Sequence, residues 1–268
     1  MILTDYSLCS FNNNFLPLDV IHPIDDNYSM GYREKIPKKI TPDRIKESLV
    51  HVGMNTSLNF PVSLGYFHSV FLDAGYSHQE NSSPKESHQL YKHFFFHEEK
   101  GTSAVITPLG VTFNCIDNYI GWTSYSDEIN KLIKELYEVN LINEIHHLGI
   151  RYASEFPGNK LFNYVDFTIS SSVFPNPNQT GKIRFETIEG DYKIIVNLLI
   201  TKNLKPFTQH AKSSTELSII DVDVIRSGMN IRSMEDFKRI LNESHHKEKQ
   251  IFFSLLTDKF LNTLNPEY

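Results

Sequence analysis

The chain has 268 residues, 40% of them hydrophobic and 22% charged, which is enough apolar material for one large or two small domains and does not fit a disordered chain. Its 26 Lys and Arg against 32 Asp and Glu leave a formal charge of −6, and no stretch gathers the basic cluster that phosphate binding needs, which argues against a general nucleic-acid coat. Two cysteines, Cys9 and Cys115, exclude a disulfide framework and fit a reducing compartment, and no apolar run approaches the ~18–20 residues of a membrane span. The expectation is a soluble, cytoplasmic protein with no membrane partner.

Residues 1–40 mix Asn, Asp, Pro and Tyr without a period and are expected to form an extended arm. Thr41-Pro42-Asp43 supplies an N-cap, a proline and an early acid, and so predicts a short helix around Arg44 to Leu49. Val50 and Val52 suggest a strand, whereas Leu64, Phe67, His68, Phe71 and Leu72 have the spacing of a buried helix face. Residues 77 to 89 have the composition of an exposed loop. Strands are then expected at Leu90 to Phe96, Ser103 to Thr107 and Val111 to Ile116, as an antiparallel meander. Ser124 with Asp127 resembles a capping box, and Ile129, Leu132, Ile133, Leu136 and Tyr137 form a regular helical stripe behind it.

Further strands are expected at 145–155, 163–170, 182–188, 192–201 and 217–226, with Glu189-Gly190-Asp191 as a hairpin turn. Ser233 caps a final helix from Met234 to about Leu264. Strands cluster between helices without βαβ alternation, so the fold class is α+β with antiparallel sheet, packed helices, a long C-terminal helix and room for two related sublayers. The implied organisation is an arm at 1–40, a first α+β layer at 41–140 and a second, β-rich layer with the C-terminal helix at 141–268.

Phosphate-cradling GxxxxGK[ST] and GxGxxG patterns are absent, as are a GxSxG nucleophile elbow and an HExxH zinc helix, so no cofactor is indicated. Asp221 and Asp223, two apart on an expected strand, share a face and are candidate ligands for Mg²⁺ or Mn²⁺; the competing reading is two acids facing solvent or paired with a base such as Arg226. Twelve histidines include His146-His147, His245-His246 and the series His88, His93, His97, none at a spacing that selects a metal site. Tyr119, Trp122 and Tyr125 stand at a strand-to-helix junction and are candidates for a partner-binding surface; the competing reading is that they plug the end of the sheet.

Several of these segments together are familiar. Ile40-Thr-Pro-Asp-Arg-Ile45, Tyr119-Ile-Gly-Trp122 with Tyr125, His147-Leu-Gly-Ile-Arg-Tyr152, Ile219-Ile-Asp-Val-Asp-Val224 and Leu264-Asn-Pro-Glu-Tyr268 resemble a sporadically distributed, uncharacterised bacterial protein family, from about residue 36 to the C-terminus. This chain has Ala153-Ser154 after the Arg-Tyr segment where that family usually has Ile-Asn. The resemblance implies no catalytic residue. Its patchy distribution implies lateral transfer, a habit of antiphage defence and toxin-control systems. The leading expectation is a non-enzymatic accessory subunit that binds another protein, encoded nearby, with self-association open. The alternatives are a metal-dependent hydrolase or nuclease using Asp221 and Asp223, and a sensor of a nucleic acid or nucleotide.

Overall fold

The computed structural model describes residues 31–79, 92–116, 119–166, 181–203 and 215–268. Most of the expected arm and of the 77–89 loop, with His88, therefore lies outside the described residues. The chain runs β1 (Ile45–Thr56), α1 (Phe60–Asp73), β2 (Ser77–Gln79), β3 (His93–His97), β4 (Thr102–Thr107), β5 (Gly110–Ile116) and α2 (Trp122–Glu138). It continues as β6 (Ile142–Pro157), α3 (Leu161–Tyr164), β7 (Gly181–Glu189), β8 (Tyr192–Asn203), β9 (Thr215–Ile231), α4 (Met234–Leu255) and α5 (Asp258–Asn262).

The nine strands form one antiparallel sheet in the order β2-β3-β4-β5-β1-β6-β9-β8-β7. That order contains an approximate internal repeat, five strands (β1–β5) against four (β6–β9), that the sequence does not display. β1 and β6, the first strands of their halves, pair with each other at the centre, and each is flanked on its outer side by the last strand of its own half, β5 or β9. In each half one helix follows the first strand and another follows the last. A single ladder, regular from Glu47↔Ala153 to Gly53↔His147, joins the two halves.

The five helices of the described residues lie on one face. That face carries Val50, Val52 and Phe113 of the first half and Ile150 of β6, packed with Phe71 of α1, Leu132 of α2 and Phe237 of α4. In the second half it carries Val196, Ile220 and Val222, packed with Leu161 of α3, Phe252 of α4 and Leu261 of α5. Tyr32–Tyr268 form one compact unit. The C-terminal residues pair with the chain before β1: Thr41 N–H donates to the Leu264 carbonyl at 2.9 Å, and Lys39 and Glu267 form an antiparallel bridge.

Four local expectations are corrected. Residues 45–49 belong to β1, because Ser48, Val50, Val52 and Met54 alternate into the core and pairing on both sides outweighs an N-cap signal. α2 begins at Trp122 after Gly121, at φ 83°, with no side-chain cap, so the Ser124–Asp127 box is unused. Leu161–Tyr164 makes one helical turn in place of a strand's beginning, and Val165 bridges Leu256; residues 167–170 lie outside the described residues. The final helix breaks at the extended Leu256, after which Thr257 accepts from Phe260 N–H at 3.2 Å and caps α5.

Candidate functional site

On the second face, away from the helices, the register aligns side chains from strand to strand. One rung runs Ile195, Asp223, Arg151, Leu49, and the next runs Asn197, Asp221, Ala153, Glu47. Asp221 and Asp223 do share a face, as period two requires, while Ile220, Val222 and Val224 point into the core.

Their cation is Arg151 of β6, directly opposite Asp223, and not the nearby Arg226. Arg151 grips Asp221 in a fork, Nε to Oδ1 at 2.8 Å and Nη2 to Oδ2 at 3.2 Å, and its Nη1 lies 3.3 Å from Glu47 Oε2. Asn197 Nδ2 donates to Asp221 Oδ2 at 3.1 Å. Arg226 is instead turned to Asp191 and Glu243. Burial, then the charge of Asp221, pushes the Asp223 carboxyl up to about 6, with Arg151 working against the rise. Burial likewise raises Glu47, against the pull of Arg151.

The two acids come together, but no described histidine completes a metal site around them. Among the described residues no group of three or more His, Cys, Asp and Glu is arranged to hold a metal ion. Further along the central strands the His51 and His147 rings meet edge to face at 5.2 Å. Burial, and then the neighbouring imidazoles, lowers His51 to about 4, so it is neutral at physiological pH. His51 Nδ1 pairs with Thr112 Oγ1 and His147 Nδ1 with Ser227 Oγ, each at 2.9 Å.

The aromatic trio is distributed over a polar seam on the helix face and does not form one binding surface. Tyr125 is 1% exposed and belongs to the core. Tyr119 and Tyr152 hydroxyls meet at 3.1 Å. Trp122 stacks on His245 of α4 with centroids 3.8 Å apart, and its Nε1 donates to Asn242 Oδ1 at 3.0 Å. Of the three, Trp122 lines a groove. That groove, about 560 Å³ between α2 and α4, is lined by Trp122, Asn130, Lys131, Lys134, Lys238 and Asn242 among others.

Sequence reasoning missed Arg151 as the partner of the acids, because a cross-strand pair 70 residues away leaves no local pattern. It also missed Glu248, whose place among the inward residues of α4 (Leu241, Ser244, Glu248, Ile251, Phe252) interrupts the apolar stripe. That interruption was a readable signal. Glu248 is 4% exposed and burial drives its carboxyl well above the usual range. Ser244 Oγ and His245 Nδ1 beside it on α4 are buried without a hydrogen-bond partner.

No protein-family model and no curated protein matches the chain. Among solved structures, Methanococcus jannaschii TBP aligns over 75% of this chain and 94% of its own, with 13% identity and a TM-score of 0.26, a superposition too loose to carry a functional statement.

Proposed function

We propose that this chain is a non-enzymatic protein-binding subunit, cytoplasmic, that works in a complex with a neighbouring gene product, in the setting of antiphage defence or toxin control. The observation that supports the reading is the one-sidedness of the sheet: nine strands with every described helix on one face. At ~4.8 Å per strand the second face is roughly 40 Å wide, and about six residues along each strand add ~20 Å. The product, about 800 Å², is what one partner contributes to an ordinary stable interface. Its side chains suit such a role, since Leu49, Ile219 and Ile225 stand among Arg151, Glu47 and Asp223, the mixture of apolar contacts and charged pairs that gives an interface both area and register.

Gentle copurification with its neighbouring gene products, followed by native mass spectrometry, tests the proposal. A second polypeptide in fixed ratio is expected. Reproducible turnover by the purified chain, abolished by one point substitution, would overturn it. The commitment of Asp221 to Arg151 and Asn197 weighs against the metal-dependent hydrolase reading. A second reading, a nucleotide or nucleic-acid sensor, draws on the groove between α2 and α4, whose lining includes Lys131, Lys238, Lys134 (paired with Glu138) and one carboxylate, Asp127. Binding there would weaken steeply with salt.

A further inference from the structure

The second face has more acceptors than donors, and the surplus is localised. Three carboxylates, Glu47, Asp221 and Asp223, surround one guanidinium, and Arg151 spends its donors on the first two. The neighbouring cations do not make up the difference: Arg184 and Lys193 are both held by Glu186, at 2.6 and 2.8 Å. The Asp223 carboxylate makes no side-chain hydrogen bond or close ion pair with any described residue, and Arg151, Arg184 and Lys193 act on its charge only from further off. Independently of the acids, Asn197 carries an acceptor with nothing to accept. Its side chain is buried, at 7% exposure, and Oδ1 has no partner. The amide cannot turn to relieve this, because Nδ2 is the atom that donates to Asp221, and a flip would set oxygen against carboxylate.

Asn197 and Asp223 are diagonal neighbours across the β8–β9 ladder, since Asn197 pairs with Asp221 and Ile195 with Asp223. Long side chains reach across such a diagonal. A group able to satisfy both must bring several N–H donors and a positive charge. We propose that the unpaired acceptors at Asn197 and Asp223 form a socket for a basic side chain, an arginine in the first instance, carried by the protein partner. This rests on the protein-binding reading above and specifies what the partner brings. Arginine fits better than lysine because its planar fork can donate in two directions at once. The chain's net charge of −6 favours approach by a basic surface. A divalent ion fits less well, for no third ligating side chain is arranged with the two acids among the described residues.

The test uses the whole chain and a probe independent of any partner, butylguanidinium, with butylurea as its neutral analogue. The Asn197 side-chain amide is read by ¹H–¹⁵N NMR. The expected result is saturable movement of that signal with butylguanidinium and none with butylurea. Asp223→Asn, which keeps the shape and removes the charge, is expected to weaken the probe about tenfold. Asp191→Asn, at the far end of the β7–β8 hairpin, is expected to leave it unchanged. Equal movement with butylurea, unaltered affinity in Asp223→Asn, or displacement of the probe by micromolar Mg²⁺ would each overturn the socket. The two proposals fail separately. A partner that binds Asp223→Asn as tightly as the native chain removes the socket and leaves the protein-binding reading standing, whereas probe binding with no copurifying partner does the reverse.

Discussion

Replacing Glu248 by Met is expected to stabilise the protein, and increasingly so as pH rises. Glu248 sits on the inward stripe of α4 at 4% exposure, one turn after Ser244, with no hydrogen bond or ion pair to a described residue. Burying a polar group without a partner costs ~1–3 kcal/mol by mutational measure, and Met fills nearly the same volume without that cost. For a unit of this size each kcal/mol moves Tm by ~2–4 °C, so the gain near neutral pH is roughly 2–12 °C. The pH dependence follows from linkage. Burial holds the carboxyl's proton well above the ordinary value of 4.5, against the opposing pull of Lys249 and with the help of Asp221. Below that value both the folded and the unfolded wild type are protonated, and the variant gains only the polar-burial difference. Above it the unfolded chain releases a proton that the folded one keeps, so the wild type loses up to ~1.4 kcal/mol per pH unit until the folded carboxyl ionises too. Calorimetric melting of both proteins between pH 4 and 8 reads the difference directly. A variant less stable than the wild type at pH 7.5, or a gap that narrows as pH rises, would refute the account of Glu248 as an unpartnered buried acid.

Gly110→Ala is expected to cost more than ~3 kcal/mol in urea unfolding, because φ is +139° there and a Cβ would lie 2.1 Å from the Val52 carbonyl oxygen. Arg151→Met leaves Glu47 and Asp221 facing each other without their cation. With Arg151 29% exposed the loss is about 1–3 kcal/mol, and it should shrink as acid protonates Glu47, whose carboxyl burial raises, which equilibrium unfolding at pH 7 and pH 4.5 will show. Trp122→Ala uncovers His245, whose imidazole burial now holds down at about 3; its NMR titration should move up towards 6.5, and an unmoved midpoint would mean that Trp122 does not shield it. His51, held at about 4, should make the fold lose stability as pH falls from 6.5 towards 4, since the unfolded imidazole takes a proton that the folded one refuses. His51→Phe should flatten that limb of the pH–stability curve.

Much of the fold was legible because period and punctuation coincided. The stripe from Ile129 to Tyr137 is α2, the Glu189-Gly190-Asp191 turn joins β7 to β8 with Gly190 at φ 55°, and the Asp-Val-Asp alternation sits on β9 as drawn. The failures share a cause in long-range pairing. β1 is a strand because β5 and β6 flank it, from more than 50 residues away at closest register, and no window around Thr41-Pro42-Asp43 contains that information. The approximate internal repeat was hidden for a related reason. The two halves repeat an order of elements and not a run of residues, so the likeness emerges only when β1 and β6 are seen side by side. At the candidate site the acids were visible and their environment was not, since Arg151 and Asn197 arrive from other strands. The break before α5 was readable after all in Thr257-Asp258, a cap followed by an acid.

The unbroken central ladder also fixes the geometry that any ligand of the second face must meet. Neighbouring strands in a sheet rotate by ~20–25°, and with no gap between the halves the eight steps from β2 to β7 accumulate roughly 160–200° of twist. A face twisted to that degree is not flat, so a partner must twist with it to stay in contact across the strands. A slender segment laid across β6, β9 and β8 can follow the twist and meet Arg151, Asp223 and Asn197 in turn.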